Sequence, residues 1–164
     1  MMKRLLLLSL FVLGFTFSSQ AQEIARNALG LRLGDNKGFG TEINYQHGLK
    51  ENKRLEFGLS WHSGSKTNAY KLTGLHQWVW HLEDRFNWYA GAGGGLGSVQ
   101  FDKKHDYYHK SKSDTFIFVA GDFGIEYNFN IPLLLSLDFR PEIGFGDYRD
   151  DLNFDIALGI RYQF

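Results

Sequence analysis

The sequence contains no cysteine and only two prolines. Without cysteine there are no disulfide bonds, so the chain must be stabilised by its own hydrogen bonds and packing. A net charge of one sign is also missing, since 18 basic residues balance 18 acidic ones. Surfaces that bind nucleic acid are strongly basic, and we therefore expect no nucleic-acid partner.

Long apolar runs are missing after residue 17. The run Leu5–Phe17 follows Lys3 and Arg4 and precedes Ser19-Gln20-Ala21. This order is typical of a secretory signal peptide, and the run is shorter than the roughly 20 residues of a membrane-spanning helix. We predict cleavage after Ala21, which leaves two more acidic than basic residues.

The rest of the chain, residues 22–164, is predicted to form one all-β domain. Apolar and polar residues alternate in eight segments, and turn-forming residues separate these segments. The predicted strands are Ala25–Gly34, Gly38–Gly48, Arg54–His62, Ala69–Leu82, Asn87–Gln100, Asp114–Phe129, Leu133–Phe145 and Leu152–Phe164. Eight such strands in succession indicate an eight-stranded antiparallel up-and-down β-barrel.

Alternation alone does not tell which face lies inside the barrel. A soluble, lipocalin-like periplasmic carrier would turn its apolar face inward, whereas a transmembrane barrel would turn it outward. The polar face is rich in small residues, as in "YAGAGGGLGS" (residues 89–98), and its charges have both signs. A narrow interior needs small residues, and buried charges need partners. Both features favour the transmembrane orientation.

We predict that the ionic side chains form a network inside the barrel. Its members are Arg32, Glu42, Glu56, Lys71, Asp122, Glu126, Asp138, Arg140, Glu142, Asp155 and Arg161. Eight strands leave a lumen that side chains can fill, so we expect no open pore. If both termini lie at one end of the barrel, four connections lie at the other end and include the longest one; they are residues 35–37, 63–68, 101–113 and 146–151. Aromatic residues gather near the strand ends, as they do in the interfacial girdles of membrane barrels.

The ending "GIRYQF", together with the eight segments and the signal peptide, resembles the small outer-membrane β-barrels of the OmpA/OmpX type, a porin-like group of Gram-negative bacteria. The "SSQAQ" region and the lack of an appended domain are similar to barrels of Bacteroidetes-type bacteria. The resemblance implies an outer-membrane monomer surrounded by lipid and lipopolysaccharide. It also implies that Ile160, Tyr162 and Phe164 form the signal that the barrel-assembly machinery recognises.

One stretch invites an enzymatic interpretation. In "WHSGS", His62 with Ser63 or Ser65 is similar to the His-x-Ser pair of outer-membrane lipid A deacylases. The spacing departs from that pattern because Gly64 stands two residues after His62. Glu56, on the same strand face, is about 20 Å away at roughly 3.3 Å per residue. We therefore expect a non-enzymatic protein, with a lipid A-modifying hydrolase as the alternative.

The longest loop is the candidate for surface contact. Its basic and aromatic residues suit the phosphates of lipopolysaccharide or another surface polymer; they are Lys103, Lys104, Tyr107, Tyr108, Lys110 and Lys112. His105 and His109 could bind a metal only if this stretch were helical, so we expect neither metal nor cofactor. The predicted role is envelope integrity or surface contact through the external loops.

Overall fold

The structure, a computed structural model, describes residues 25–34, 40–50, 52–63, 67–101, 112–146 and 151–164. The proposed signal peptide lies outside these residues, and its cleavage stays a prediction. In the described part of the chain, no helix is long and apolar enough to cross a membrane.

The described residues form a closed antiparallel barrel of eight strands, which confirms the predicted fold. The strands are β1 Asn27–Leu33, β2 Thr41–Lys50, β3 Lys53–Ser63, β4 Thr67–Glu83, β5 Phe86–Phe101, β6 Lys112–Asn128, β7 Leu133–Phe145 and β8 Leu152–Gln163. Each strand pairs with its neighbours in sequence, and β8 closes the barrel by pairing with β1. Closure leaves no unpaired edge, and an unpaired edge is intolerable in hydrocarbon.

The two ends of the barrel differ in their connections. The turn rim carries the short connections β2–β3, β4–β5 and β6–β7 and both ends of the described chain. The opposite loop rim carries the other four connections. The first of these, from Leu33 to Thr41, is longer than the Asp35–Lys37 turn that the sequence predicted.

The apolar face lies outside. On β8, Ile156 and Leu158 are 63% and 56% exposed, whereas Asp155 and Arg161 are 3% and 1% exposed. The same alternation continues around the barrel, with exposed leucine, isoleucine and phenylalanine outside and ionic side chains inside. This arrangement is the reverse of a lipocalin-like barrel, in which the apolar face surrounds a ligand.

Outward-facing aromatic rings cluster near the turn rim. Trp80 and Trp88 stack with ring centroids 4.3 Å apart, and Tyr127 packs against Phe86 at 4.7 Å. Towards the loop rim, Trp61 is paired with Tyr70 across β3 and β4. Amphipathic rings at two levels correspond to the interfacial girdles of transmembrane barrels.

Glycines on the inner face make room for large neighbours. A Cβ atom at Gly124 would overlap the ring of Tyr89, and one at Gly97 would overlap the ring of Phe116. Both rings are almost completely buried. The small residues that the sequence places on this face therefore allow a narrow barrel to hold long and aromatic side chains.

Candidate functional site: the ion-paired barrel interior

The structure places all eleven residues of the predicted network inside the barrel, each at most 4% exposed. Arg54, which the prediction omitted, is buried among them at 1% exposure. The buried charged side chains in the described residues are thus five cations and seven carboxylates. Such a density of buried charge is stable only when the groups pair with one another and with polar neighbours.

Arg140 lies at the centre of the network. Its Nη1 donates to Glu42 at 3.2 Å, and its Nη2 donates to Glu56 at 2.9 Å. Its Nε lies 3.5 Å from Oδ1 of Asp122. These carboxylates belong to β2, β3 and β6, whereas Arg140 belongs to β7. One guanidinium therefore links four strands across the lumen.

Arg161, on β8, extends this group. It donates to Ser136 at 2.7 Å, to Asn44 at 3.1 Å and to Glu56 at 3.3 Å. Glu56 also accepts a hydrogen bond of 2.6 Å from Gln46. With a further hydrogen bond of 3.3 Å from Gln77, Glu56 is shared by two arginines and two amides, which is the kind of partnership that a buried carboxylate requires.

Two further cations, Arg32 and Lys71, form three ion pairs in the lumen. Arg32 donates to Asp138 at 2.9 Å through Nε and to Asp155 at 2.6 Å through Nη1. Lys71 donates to Glu142 at 2.7 Å. Together with the contacts of Arg140 and Arg161, these contacts place long charged side chains across the central and loop-rim parts of the lumen, where each is at most 4% exposed.

Arg54 carries the part of the network that sequence reasoning missed. Its Nη2 is 2.8 Å from Glu126, its Nε donates to Gln77 at 2.6 Å, and its guanidinium stacks 4.8 Å from the ring centre of Tyr89. The signal was available, because Arg54 is two residues from Glu56 and therefore on the same strand face. The prediction omitted Arg54 because this residue stands at the predicted start of β3.

The interior is not polar throughout. An apolar cluster of buried side chains lies inside β4, β5 and β6; its members are Ala69, Leu75, Val99, Phe116, Phe118 and Ala120. Lys71 borders this cluster, with its Nζ 5.3 Å from the ring centre of Phe118. The expectation of a polar interior therefore describes the part of the lumen around Arg140 but not the part around this apolar cluster.

The described residues do not bring together the site of the alternative hydrolase. His62 and Ser63 are neighbours in β3 and point to opposite faces of the strand. The Ser63 hydroxyl donates to Asn68 at 2.9 Å, and Glu56 is held by the two arginines. Ser65 lies outside the described residues. The described residues also contain no group of three or more His, Asp or Glu side chains that could hold a metal ion.

The proposed surface-contact residues lie outside the part of the chain that the structure describes. This holds for Lys103, Lys104, Tyr107, Tyr108 and Lys110, and for the side chain of Lys112 at the start of β6. The proposed assembly residues Ile160, Tyr162 and Phe164 are all exposed on the outer face. Backbone hydrogen bonds between Phe164 and Asn27 tie this end of the chain to β1.

Comparison with known proteins places the fold. No family model and no curated protein matches the chain. Among solved structures, the match to Neisserial surface protein A covers 84% of this chain and 93% of the neisserial chain, with a TM-score of 0.61 and 14% sequence identity. The match to the N-terminal β-barrel domain of Pseudomonas aeruginosa OprF covers 84% of this chain and 95% of that domain, with a TM-score of 0.56 and 11% sequence identity. The match to Ail, the attachment invasion locus protein of Yersinia pestis, covers 84% of this chain and 96% of Ail, with a TM-score of 0.55 and 14% sequence identity.

Ail has also been solved in complex with the heparin analogue sucrose octasulfate, at a TM-score of 0.54 and 13% identity to this chain. At such identities the likeness concerns the fold alone. The chain thus has the fold of small eight-stranded outer-membrane β-barrels.

Proposed function

We propose that this chain is a non-enzymatic outer-membrane β-barrel of a Gram-negative, Bacteroidetes-type bacterium. The carrying observation is the orientation of the barrel wall, apolar outside and ion-paired inside. Soluble monomers rarely expose a contiguous apolar patch larger than a few hundred Å². Here apolar side chains such as Phe57, Leu137 and Ile156 are about half exposed or more on different sides of the barrel. Hydrocarbon is the medium in which such a surface is stable.

Cell fractionation combined with gel mobility tests this proposal. We expect to find the protein in the outer-membrane fraction and to release it only with detergent. On a denaturing gel, the boiled and unboiled samples should migrate differently, because the closed barrel resists unfolding in the unheated sample. Recovery from the soluble periplasm without detergent would contradict a membrane role.

Within this role, we propose that the β5–β6 loop contacts polyanions at the cell surface, such as the phosphates of lipopolysaccharide. The support is compositional, since Lys103, Lys104 and Lys110 lie within ten residues of Tyr107 and Tyr108. A barrel of the same fold, Ail, has been solved with a sulfated heparin analogue. The burial of the ionic side chains inside the barrel supports a role that lies outside the barrel, on its loops or in its contribution to the envelope.

A charge-neutralised loop tests the contact. We expect Lys103→Gln, Lys104→Gln and Lys110→Gln together to weaken binding of the folded barrel to immobilised lipopolysaccharide, and the difference should shrink at high salt. The control neutralises Arg26 and Arg85, which lie at the opposite rim and have no proposed ligand. Equal losses in the two variants, or none in the loop variant, would contradict a specific role of the loop.

A further inference from the structure

The outer wall contains a groove among otherwise protruding side chains. It has a volume of about 410 Å³ and crosses β2 to β5. Its lining includes Ile43, Phe57, Leu59, Leu72, Gly74 and Leu96. Gly74 faces outward and is paired with Gly94 on one side and with Phe57 on the other. Two adjacent glycines thus interrupt the apolar belt, and the ring of Phe57 forms one wall of the gap.

Two lysines lie at the turn-rim end of the strands that form this groove. Lys50 and Lys53 are paired at the β2–β3 turn, and both are exposed. Lys53 is four residues from Phe57, which is about 13 Å along an extended strand. One leaflet provides about 15 Å, half of the ~30 Å hydrocarbon core. A phosphate at Lys53 and an acyl chain in the groove therefore fit within the length of one lipid.

A polar atom lies between these two features. His76 faces outward between Gly74 and Trp78, and it is paired with Leu55, midway between Lys53 and Phe57. Its ring packs against Trp78 at 4.4 Å, and its Nδ1 is buried with no hydrogen-bond partner among the described residues. The depth of His76 corresponds to the ester groups of a lipid whose phosphate is at Lys53, so a polar ring lies in the apolar wall at the level where a lipid is polar.

We infer that this face holds a resident phospholipid of the periplasmic leaflet, with an acyl chain in the groove beside Gly74 and the phosphate on Lys50 and Lys53. The inference rests on the proposed membrane role, which puts the turn rim on the periplasmic side. Among the described residues of β2, β3 and β4, the outer face carries Lys50 and Lys53 at the turn rim, whereas Trp61, Ser63 and Tyr70 at the loop-rim end are uncharged. This distribution favours the periplasmic leaflet for the bound phosphate.

The test uses a variant whose side chain fills the groove. The folded proteins, in mild detergent, are titrated with phosphatidylglycerol, and native mass spectrometry measures how many lipid molecules each one binds. Gly74→Leu is suitable because a Cβ there meets nothing closer than the Phe57 ring at 3.9 Å. Thr115→Leu, on the outward face of β6 near the loop rim, is the matched control. We expect one bound phospholipid in the original protein and in the control, most of it lost in Gly74→Leu, and weaker binding in Lys53→Gln.

Equal lipid retention in Gly74→Leu and Thr115→Leu would overturn the inference. So would lipopolysaccharide as the bound species, or a dimer that Gly74→Leu dissociates, since a second copy would then occupy the groove. Heat-modifiable mobility checks the fold of each variant, and if Gly74→Leu does not fold, Lys53→Gln decides the question. Failure of the membrane role is distinguishable, because the original protein would then fractionate with the soluble periplasm.

Discussion

Replacement of Arg140 by methionine should destabilise the barrel strongly. The change keeps a long side chain but removes the cation that Glu42, Glu56 and Asp122 share. Glu42 keeps a hydrogen bond from Ser60, and Glu56 keeps Arg161, so the loss is partial for each carboxylate. Removal of one partner from a buried ion pair costs about 3–5 kcal/mol. With a urea m-value of about 2 kcal/mol/M, the unfolding midpoint should fall by about 2 M.

The assay is reversible urea unfolding in phospholipid vesicles, followed by tryptophan fluorescence. Arg26→Met, at an exposed arginine near the turn rim, is the control and should change the unfolding free energy by less than about 0.5 kcal/mol. Adding Glu42→Gln to Arg140→Met should recover part of the loss, because one uncompensated charge is removed. A stability of Arg140→Met within about 0.5 kcal/mol of the original protein would refute the claim that the network stabilises the interior.

Three other perturbations probe the wall, the packing and the assembly signal. Ile156→Arg, on the outer face, should cost about 2–4 kcal/mol in vesicles; no change would mean that this position does not face hydrocarbon. Gly124→Val should prevent folding because it overlaps the ring of Tyr89, and adding Tyr89→Ala should restore the heat-modifiable band; a normally folded single variant would contradict the packing. Phe164→Ala should lower the amount of barrel in the outer membrane without a comparable loss of urea stability; unchanged abundance would contradict the proposed assembly role.

The strands could be predicted closely because alternation and turn chemistry are local properties. Every predicted strand end lies within three residues of the observed one, and β7 has the predicted bounds. Orientation could also be predicted, since the mixed charges and small residues of one face suit a narrow interior. The inward positions of Phe116 and Phe118 follow only from the two-residue period that they share with Asp122, because "TFIFVAG" (residues 115–121) is apolar on both faces and by itself gives no contrast between them.

The sequence could not predict which cation pairs with which carboxylate inside the barrel. Arg140 and Glu56 are 84 residues apart, and Arg32 and Asp155 are 123 apart. Which inward side chains meet depends on the stagger of the strands around the closed barrel. The groove beside Gly74 was equally hidden, because it arises from the pairing of Gly74 with Gly94 and not from either residue alone.

The most direct test of the central claim is spin-label accessibility at single cysteines, for which the chain offers a background without native cysteine. Labels at Leu137 and Ile156 should be accessible to oxygen dissolved in the bilayer and protected from a water-soluble nickel reagent, whereas a label at Asn130, exposed in the β6–β7 turn, should be accessible to the nickel reagent. High nickel accessibility at Leu137 and Ile156 in the folded protein would contradict an apolar face turned towards lipid.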